Sequence, residues 1–262
     1  MKQYKTIVNG ATMAGMAIAS CDPEGTLIVD RGNQLASDFY ASMRTDHMPE
    51  RVTQGEAARK FGADMKQYPS IVQDGQLAIT EGMPALGRYV ESQKIQILFD
   101  FSILSRQQNT NHFILTGICR DEIHHIQAEY YVDTTESFAK QAADGMVTES
   151  LNLLIRKAGQ NPVICPNAAI HDFPTGGYYI LEMPSDAKMS YPQLRKQALG
   201  LFPCTRTDSS DLLLKTADRI CVRGEQSSVL SVSNGFILCS CLSEDLLHAM
   251  ERGEQFWRNY LC

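Results

Sequence analysis

The stretch "IVNGATMAG", residues 7–15, decides how the rest of the chain is read. Isoleucine and valine mark the end of a short strand, and Gly10 marks a tight turn. Residues 12–20, "TMAGMAIAS", are small or straight-chain and apolar, as expected for a helix packed closely on a sheet. A turn signal, "DPEG", and a second buried strand, "TLIVD" (26–30), follow at once. Strand, turn, helix, turn and strand in this order make a βαβ unit with a right-handed crossover. A parallel α/β core is therefore expected to begin near residue 4.

Composition sets the bounds. The 262 residues are 44% apolar and 21% charged, ordinary for a water-soluble globular chain, and suffice for one large domain or one domain with a modest lobe. The net charge is −6 with no block of lysine or arginine, which argues against nucleic acid and anionic membrane as partners. No apolar run approaches the ~18 residues of a membrane helix. "MKQYKTIVNG" enters a strand directly, unlike a signal peptide, so a cytoplasmic location is expected. A small-molecule substrate is the expected ligand, and a partner protein or homo-oligomer stays open. The eight cysteines form no CxxC pair, and Cys239-Ser-Cys241 lies in a run that reads as a buried strand, where both are small apolar side chains. His124 and His125 are adjacent and would point to opposite faces of a strand, so no metal site is expected.

Farther along, residues 53–68 and 81–93 read as helices. Residues 94–104, 112–120 and 122–135 read as three strands of an antiparallel meander ending in "YYVDTT". A helix is expected at about 136–156, a small β-containing lobe at 160–204, a last strand at 235–241 and a terminal amphipathic helix. Residues 1–159 and 205–262 then form one discontinuous nucleotide-binding lobe, and 160–204 a reduced cap over the substrate. In the lobe, His171, Tyr178 and Tyr179 stand near one another in sequence, but tyrosines in "GGYYILE" read as packing residues and no catalytic base is named.

The opening motif can now be weighed. A pyrophosphate-binding turn has the form G-x-G-x-x-G: the first glycine makes the turn, the second admits the phosphates, and the third allows close packing of helix on strand. Gly10 and Gly15 occupy the first and third places, and Thr12 stands in the second. Asp30 follows Gly10 by twenty residues, where an acid accepting ribose hydroxyls belongs. The alternative is that both glycines serve packing alone.

Together, "TIVNGATMAGMAIA", the Asp30-Arg31-Gly32 ending of the second strand, "AEYYVDTTESFA" and "GFILCSCLSEDLLHAMERG" resemble the FAD-dependent oxidoreductases of the glutathione-reductase-like fold. The resemblance implies an α/β fold: a Rossmann-like parallel sheet with an antiparallel β-meander and a small second lobe containing β-structure. It also implies FAD as cofactor, lying along Gly10, Thr12, Met13, Ala14 and Gly15. The adenosine ribose would rest at Asp30 and Arg31, adenine near Ile103 and the Thr134-Thr135 turn, and the flavin ring toward 235–248. Three positions depart from the family pattern: Thr12 in place of glycine, Glu136 where the "DTT" turn usually continues with glycine, and Cys239-Ser240-Cys241 in the last segment. Two functions stay open on this reading. One is flavin-mediated hydride transfer on a small molecule. The other is a non-catalytic relative, pseudoenzyme or interaction subunit, in which FAD binding is weak or lost. A NAD-binding module is a third, less favoured by the meander.

Overall fold

The computed structural model describes residues 2–44, 53–68, 72–73, 76–77, 82–109, 112–157, 167–173, 176–185, 189–201, 211–232 and 235–262. The expected βαβ unit is present as β1 (Lys2–Asn9), α1 (Met13–Cys21) and β2 (Thr26–Val29), with β1 and β2 parallel and Ile7 opposite Leu27. Ile7, Val8, Ile28 and Val29 are fully enclosed, because a parallel strand is covered on both faces and needs no polar alternation. Every residue of α1 from Met13 to Ala19 is also buried. Such a helix has no solvent face, and its small side chains let it fit between the sheet and a second helix layer.

That layer begins with α2 (Glu56–Lys66), followed by a two-residue ladder of β3 (Val72–Gln73) and β4 (Gln76–Leu77), and then α3 (Met83–Ser92). β5 (Gln96–Leu98) joins the sheet parallel to β2. The strand expected at 94–104 is therefore divided, and the meander is β6 (Ser102–Gln108), β7 (Phe113–Cys119) and β8 (Glu122–Asp133), each antiparallel to the next. β8 also runs parallel to β1, which sets Asp133 beside Asn9. This is the α/β architecture that the sequence led us to expect.

Two further expected elements are corrected. The helix placed at 136–156 is not formed. A 3₁₀ turn (Glu136–Phe138) and a single α-helical turn, α4 (Ala139–Ala142), give way to β9 (Thr148–Arg156). Asp144-Gly145 interrupts the helix, and Leu151, Leu153 and Ile155 alternate with period two, burying one face of the strand. β9 is the centre of a second, antiparallel sheet. It pairs with β11 (Tyr178–Pro184), β12 (Leu212–Thr216) and β13 (Cys221–Arg223), and β11 carries β10 (Ala169–Asp172). The segment 160–204 thus contributes β10, β11 and α5 (Tyr191–Leu201), while β9, β12 and β13 come from either side of it. Leu194 and Ala198 of α5 cover Leu151, Leu153 and Ile155.

The last strand is also shorter than the expected 235–241. β14 (Leu230–Val232) pairs with β15 (Gly235–Ile237), which lies parallel to β8, and Ser240–Leu242 then form a 3₁₀ turn. The final helix, α6 (Leu246–Phe256), continues into a wider π turn at Trp257–Leu261. Phe256, Tyr260 and Phe236 gather there in one aromatic cluster. No helix among the described residues is long and apolar enough to cross a membrane.

α6 supports the first helix from outside. A side chain at Gly253 would meet the backbone oxygen of Ala14 at 2.3 Å, so the two helices touch main chain to main chain. The next residue, Glu254, is buried and accepts the Ala57 N–H at 3.0 Å, capping α2, whose own cap residue, Gly55, has no side chain. Gly253→Ala should therefore cost ~1–3 kcal/mol in chemical denaturation, as overpacked contacts do. Gly87→Ala, on the exposed side of α3 with nothing within 4 Å, should instead add up to ~1 kcal/mol. Equal effects at the two positions would refute the close helix crossing.

Candidate functional site

The turn after β1 uses both of its glycines as the motif demands. Gly10 has φ +109°, a conformation that glycine alone adopts without strain, and its N–H donates to the Val29 carbonyl at 2.8 Å. A side chain at Gly15 would lie 2.5 Å from the Gly10 carbonyl oxygen, so α1 starts hard against the turn. Thr12, in the middle position, is the N-cap of α1: its Oγ1 accepts the Gly15 N–H at 3.0 Å. The same hydroxyl donates to Thr134 Oγ1 at 2.7 Å, and Thr134 Oγ1 donates in turn to the Asn9 carbonyl at 3.0 Å. The Thr12 hydroxyl is thus tied into the chain on both sides.

Asp30 lies where the motif places it, at the end of β2, yet it is only 2% exposed. Oδ2 accepts the Ala11 N–H and Oδ1 the Gly32 N–H, each at 2.6 Å, and Arg219 approaches Oδ1 at 3.6 Å. Arg219 comes from the turn between β12 and β13 and also reaches Glu136 at 3.4 Å, linking the second sheet to the acid. Beside it is a cavity of about 530 Å³ lined by Asn9, Asp30, Arg31, Ile103, Thr135 and Arg219. A second cavity of about 940 Å³ shares Arg31, Glu136, Ser137 and Arg219 with it and extends to Lys140 and Tyr191. Both open where the β1, β2 and β8 carboxyl ends face the second sheet, the usual ligand position of an open α/β sheet.

The candidates from the sequence therefore divide. Gly10, Thr12, Met13, Ala14, Gly15 and Thr134 are gathered at the turn, and all are buried. Arg31, Ile103 and Thr135 line the open cavity together with Asp30. In the second lobe, Tyr179 is enclosed and donates to Asp211 at 3.0 Å, while His171 pairs with Glu182 at 2.9 Å. Burial pushes the Glu182 carboxyl up, but His171, Arg223 and Ser150 outweigh it and hold the group down at about 2. Cys239 and Cys241 are free, buried thiols, and burial pushes Cys239 up to about 12 and Cys241 well above its ordinary value. Cys165, Cys204 and His47 lie outside the described residues.

Sequence reasoning missed three residues that close the turn. Ser240 Oγ accepts the Ala14 N–H at 3.1 Å. Asp38 is enclosed, and neither of its oxygens makes a hydrogen bond of good geometry. Burial pushes its carboxyl up to about 7, against the opposing pull of the Ser240 hydroxyl and the Arg44 charge. Arg44 is itself buried and donates to the carbonyls of Cys241, Ser243 and Glu244 at 2.8, 2.6 and 2.8 Å. The loop that carries Asp38 and Arg44 is anchored by the Ala36 N–H on the Ala11 carbonyl at 2.6 Å, with Ala36 at φ +48°. A left-handed alanine is strained, so surrounding contacts must hold it there.

No family model matches the sequence, and no curated protein matches it. Solved structures do share the fold. A geranylgeranyl bacteriochlorophyll reductase-like protein from Thermoplasma acidophilum superposes with a TM-score of 0.62 at 11% identity, over 97% of this chain and 77% of that one. A flavoprotein/dehydrogenase from Cytophaga hutchinsonii gives 0.59 at 12% identity, over 97% and 76%. A p-nitrophenol 4-monooxygenase from Pseudomonas putida gives 0.59 at 11%, over 90% and 72%. The shared feature is the parallel sheet with its second, antiparallel sheet.

A bound dinucleotide needs N–H donors at the start of α1 for its phosphates and a free acid for its ribose. Here the Ala11, Ala14 and Gly15 N–H groups already have side-chain acceptors, and Ala11, Thr12 and Met13 have no exposed surface. The residues of this turn do not fit the diphosphate of FAD, although the cavity beside Asp30 has room for a smaller polar group.

Asp38 supplies a pH test. The folded chain keeps its proton up to about pH 7, whereas the unfolded chain releases it near 3.8. Its stabilising contribution is full below 3.8 and is lost as pH rises through 7. Arg44, Ser240, Glu136 and Cys241 are the polar and titratable groups around it. Asp38→Asn should remove a downward slope of up to ~1.4 kcal/mol per pH unit within that window. Parallel wild-type and variant curves in urea melts between pH 4 and 8 would refute the buried carboxyl.

Proposed function

We propose that this protein is a relative of the FAD-dependent oxidoreductases that keeps their scaffold for binding and does not run flavin chemistry. The observation that carries this reading is the closed turn: the opening of α1 and the acid Asp30 are bonded to the chain's own groups, with Asp30 2% exposed and Ala11 and Thr12 fully enclosed. A chain built this way presents the cleft between its two sheets to a small molecule, and its outer surface to a partner protein or a second copy of itself.

The second reading, FAD-dependent hydride transfer on a small molecule, is favoured by the fold shared with a protein named a flavoprotein/dehydrogenase. It also draws on Gly10 and Gly15 in their expected roles and on the cavity beside Asp30. When bound, FAD supplies the hydride chemistry, and the protein supplies position and electrostatics. Under this reading Asp30, Arg31, Ile103 and Thr135 would hold the adenosine end, and Ser240 would have to leave Ala14.

The visible absorption spectrum of the purified chain decides between them, recorded before and after incubation with excess FAD and gel filtration. The first reading expects a colourless protein that takes up no FAD and gains no thermal stability from it. A flavin band that survives gel filtration and is lost in Gly15→Val would overturn it and establish the second reading.

A further inference from the structure

Resting on the closed-turn reading, we infer that the Asp38 carboxyl and the Ser240 hydroxyl form a built-in occupant of the phosphate place at the start of α1, held down by Arg44. The argument begins with what a diphosphate brings to such a place. It supplies hydrogen-bond acceptors for the N–H groups of the first helical turn, and negative charge for the positive end of the helix. It also needs a cation nearby to balance its charge.

The chain provides the acceptor and the cation from within, with a buried carboxyl beside them. Ser240 Oγ is the acceptor, 3.1 Å from the Ala14 nitrogen. Since the serine oxygen receives that N–H, its own proton is free to turn toward Asp38, the acid it helps to ionise. Asp38 is enclosed and is the one acid near the turn whose oxygens lack well-formed hydrogen bonds among the described residues. Arg44 is the buried cation: it favours the charged form of Asp38 and grips three successive stretches of backbone at Cys241, Ser243 and Glu244. Glu136, an acid that opposes the charged form of Asp38, pairs instead with Arg219 at 3.4 Å.

The two segments arrive from opposite ends of the sequence, and each is pinned by its backbone. Ala36 N–H is held on Ala11, and Ser240 N–H on the Thr134 carbonyl at 3.1 Å. Ala36, two residues before Asp38, and Ser240 are thus each pinned beside the turn by main-chain bonds that do not depend on a ligand. Thr12, in place of the second glycine, completes the closure by using its hydroxyl to cap Gly15. An anion competing for this place has to displace a serine, a carboxyl and the arginine clamp behind them.

The test uses inorganic pyrophosphate as the probe, with sodium chloride at matched ionic strength as control. Thermal melts are recorded for the wild type, for Asp38→Gly/Ser240→Gly and for Ser240→Gly alone. The wild type should melt at the same temperature with and without pyrophosphate. The double variant should show a saturable rise of at least ~2 °C, the size expected of a modest ligand stabilisation in a chain this long. If the double variant does not fold, Ser240→Gly carries the test with the same readout. A folded variant that is as blind to pyrophosphate as an FAD-free wild type overturns the assignment to Asp38 and Ser240 and leaves the functional reading standing. A wild type that takes up FAD, or is itself stabilised by pyrophosphate, overturns both.

Discussion

A helix that starts in the protein interior must find acceptors for its first N–H groups, since water cannot reach them. α1 is such a helix, enclosed from Met13 to Ala19. The surrounding structure is organised around that demand. Thr12 accepts from Gly15, Asp30 from Ala11, and Ser240 from Ala14. These three acceptors come from the turn itself, from the end of β2, and from the segment before α6. Satisfying α1 and the turn that leads into it therefore fixes the turn, the sheet edge and the C-terminal segment relative to one another. A ligand at the same place would do this work in another protein; here the polypeptide does it.

Electrostatics follow the same geometry. Asp30 and Asp133 stand at the carboxyl ends of β2 and β8, Asp38 lies in the loop that follows β2, and each is treated differently. Asp30 is satisfied by two backbone N–H groups and approached by Arg219. Asp133 receives the Asn9 amide at 2.8 Å and both the N–H and hydroxyl of Thr135. Asp38 has neither arrangement and carries the cost of burial as a raised pKa. Two of the three acids build the sheet end, and the third stays enclosed without a well-formed hydrogen bond.

Much of this was legible in the sequence. The βαβ unit, the twenty-residue interval to Asp30 and the meander ending in "VDTT" were read from patterns that act over a few residues. The strand β9 was not: the period-two run from Leu151 to Ile155 lies inside the segment 136–156 that reads as a helix. The closing residues were out of reach for a different reason. Ala14 and Ser240 meet across 226 positions of sequence, and nothing in "LCSCL" marks a serine as an acceptor for a distant helix. The threonine at position 12 was visible as a departure, but whether its hydroxyl faced a phosphate or a neighbouring threonine depended on Thr134, again far along the chain.

The contact of Gly253 with Ala14 has a consequence for how the chain comes to be folded. α1 is enclosed only when distant parts of the chain are in place, because its outer wall is α6 and one of its acceptors is Ser240. Until those residues are made, the apolar stretch from Met13 to Ala19 has no cover on that side. Contacts spanning nearly the whole chain are slow to form and leave such surfaces exposed while they wait. The cover of α1 on that side thus waits for the segment from Ser240 to α6 to dock on it.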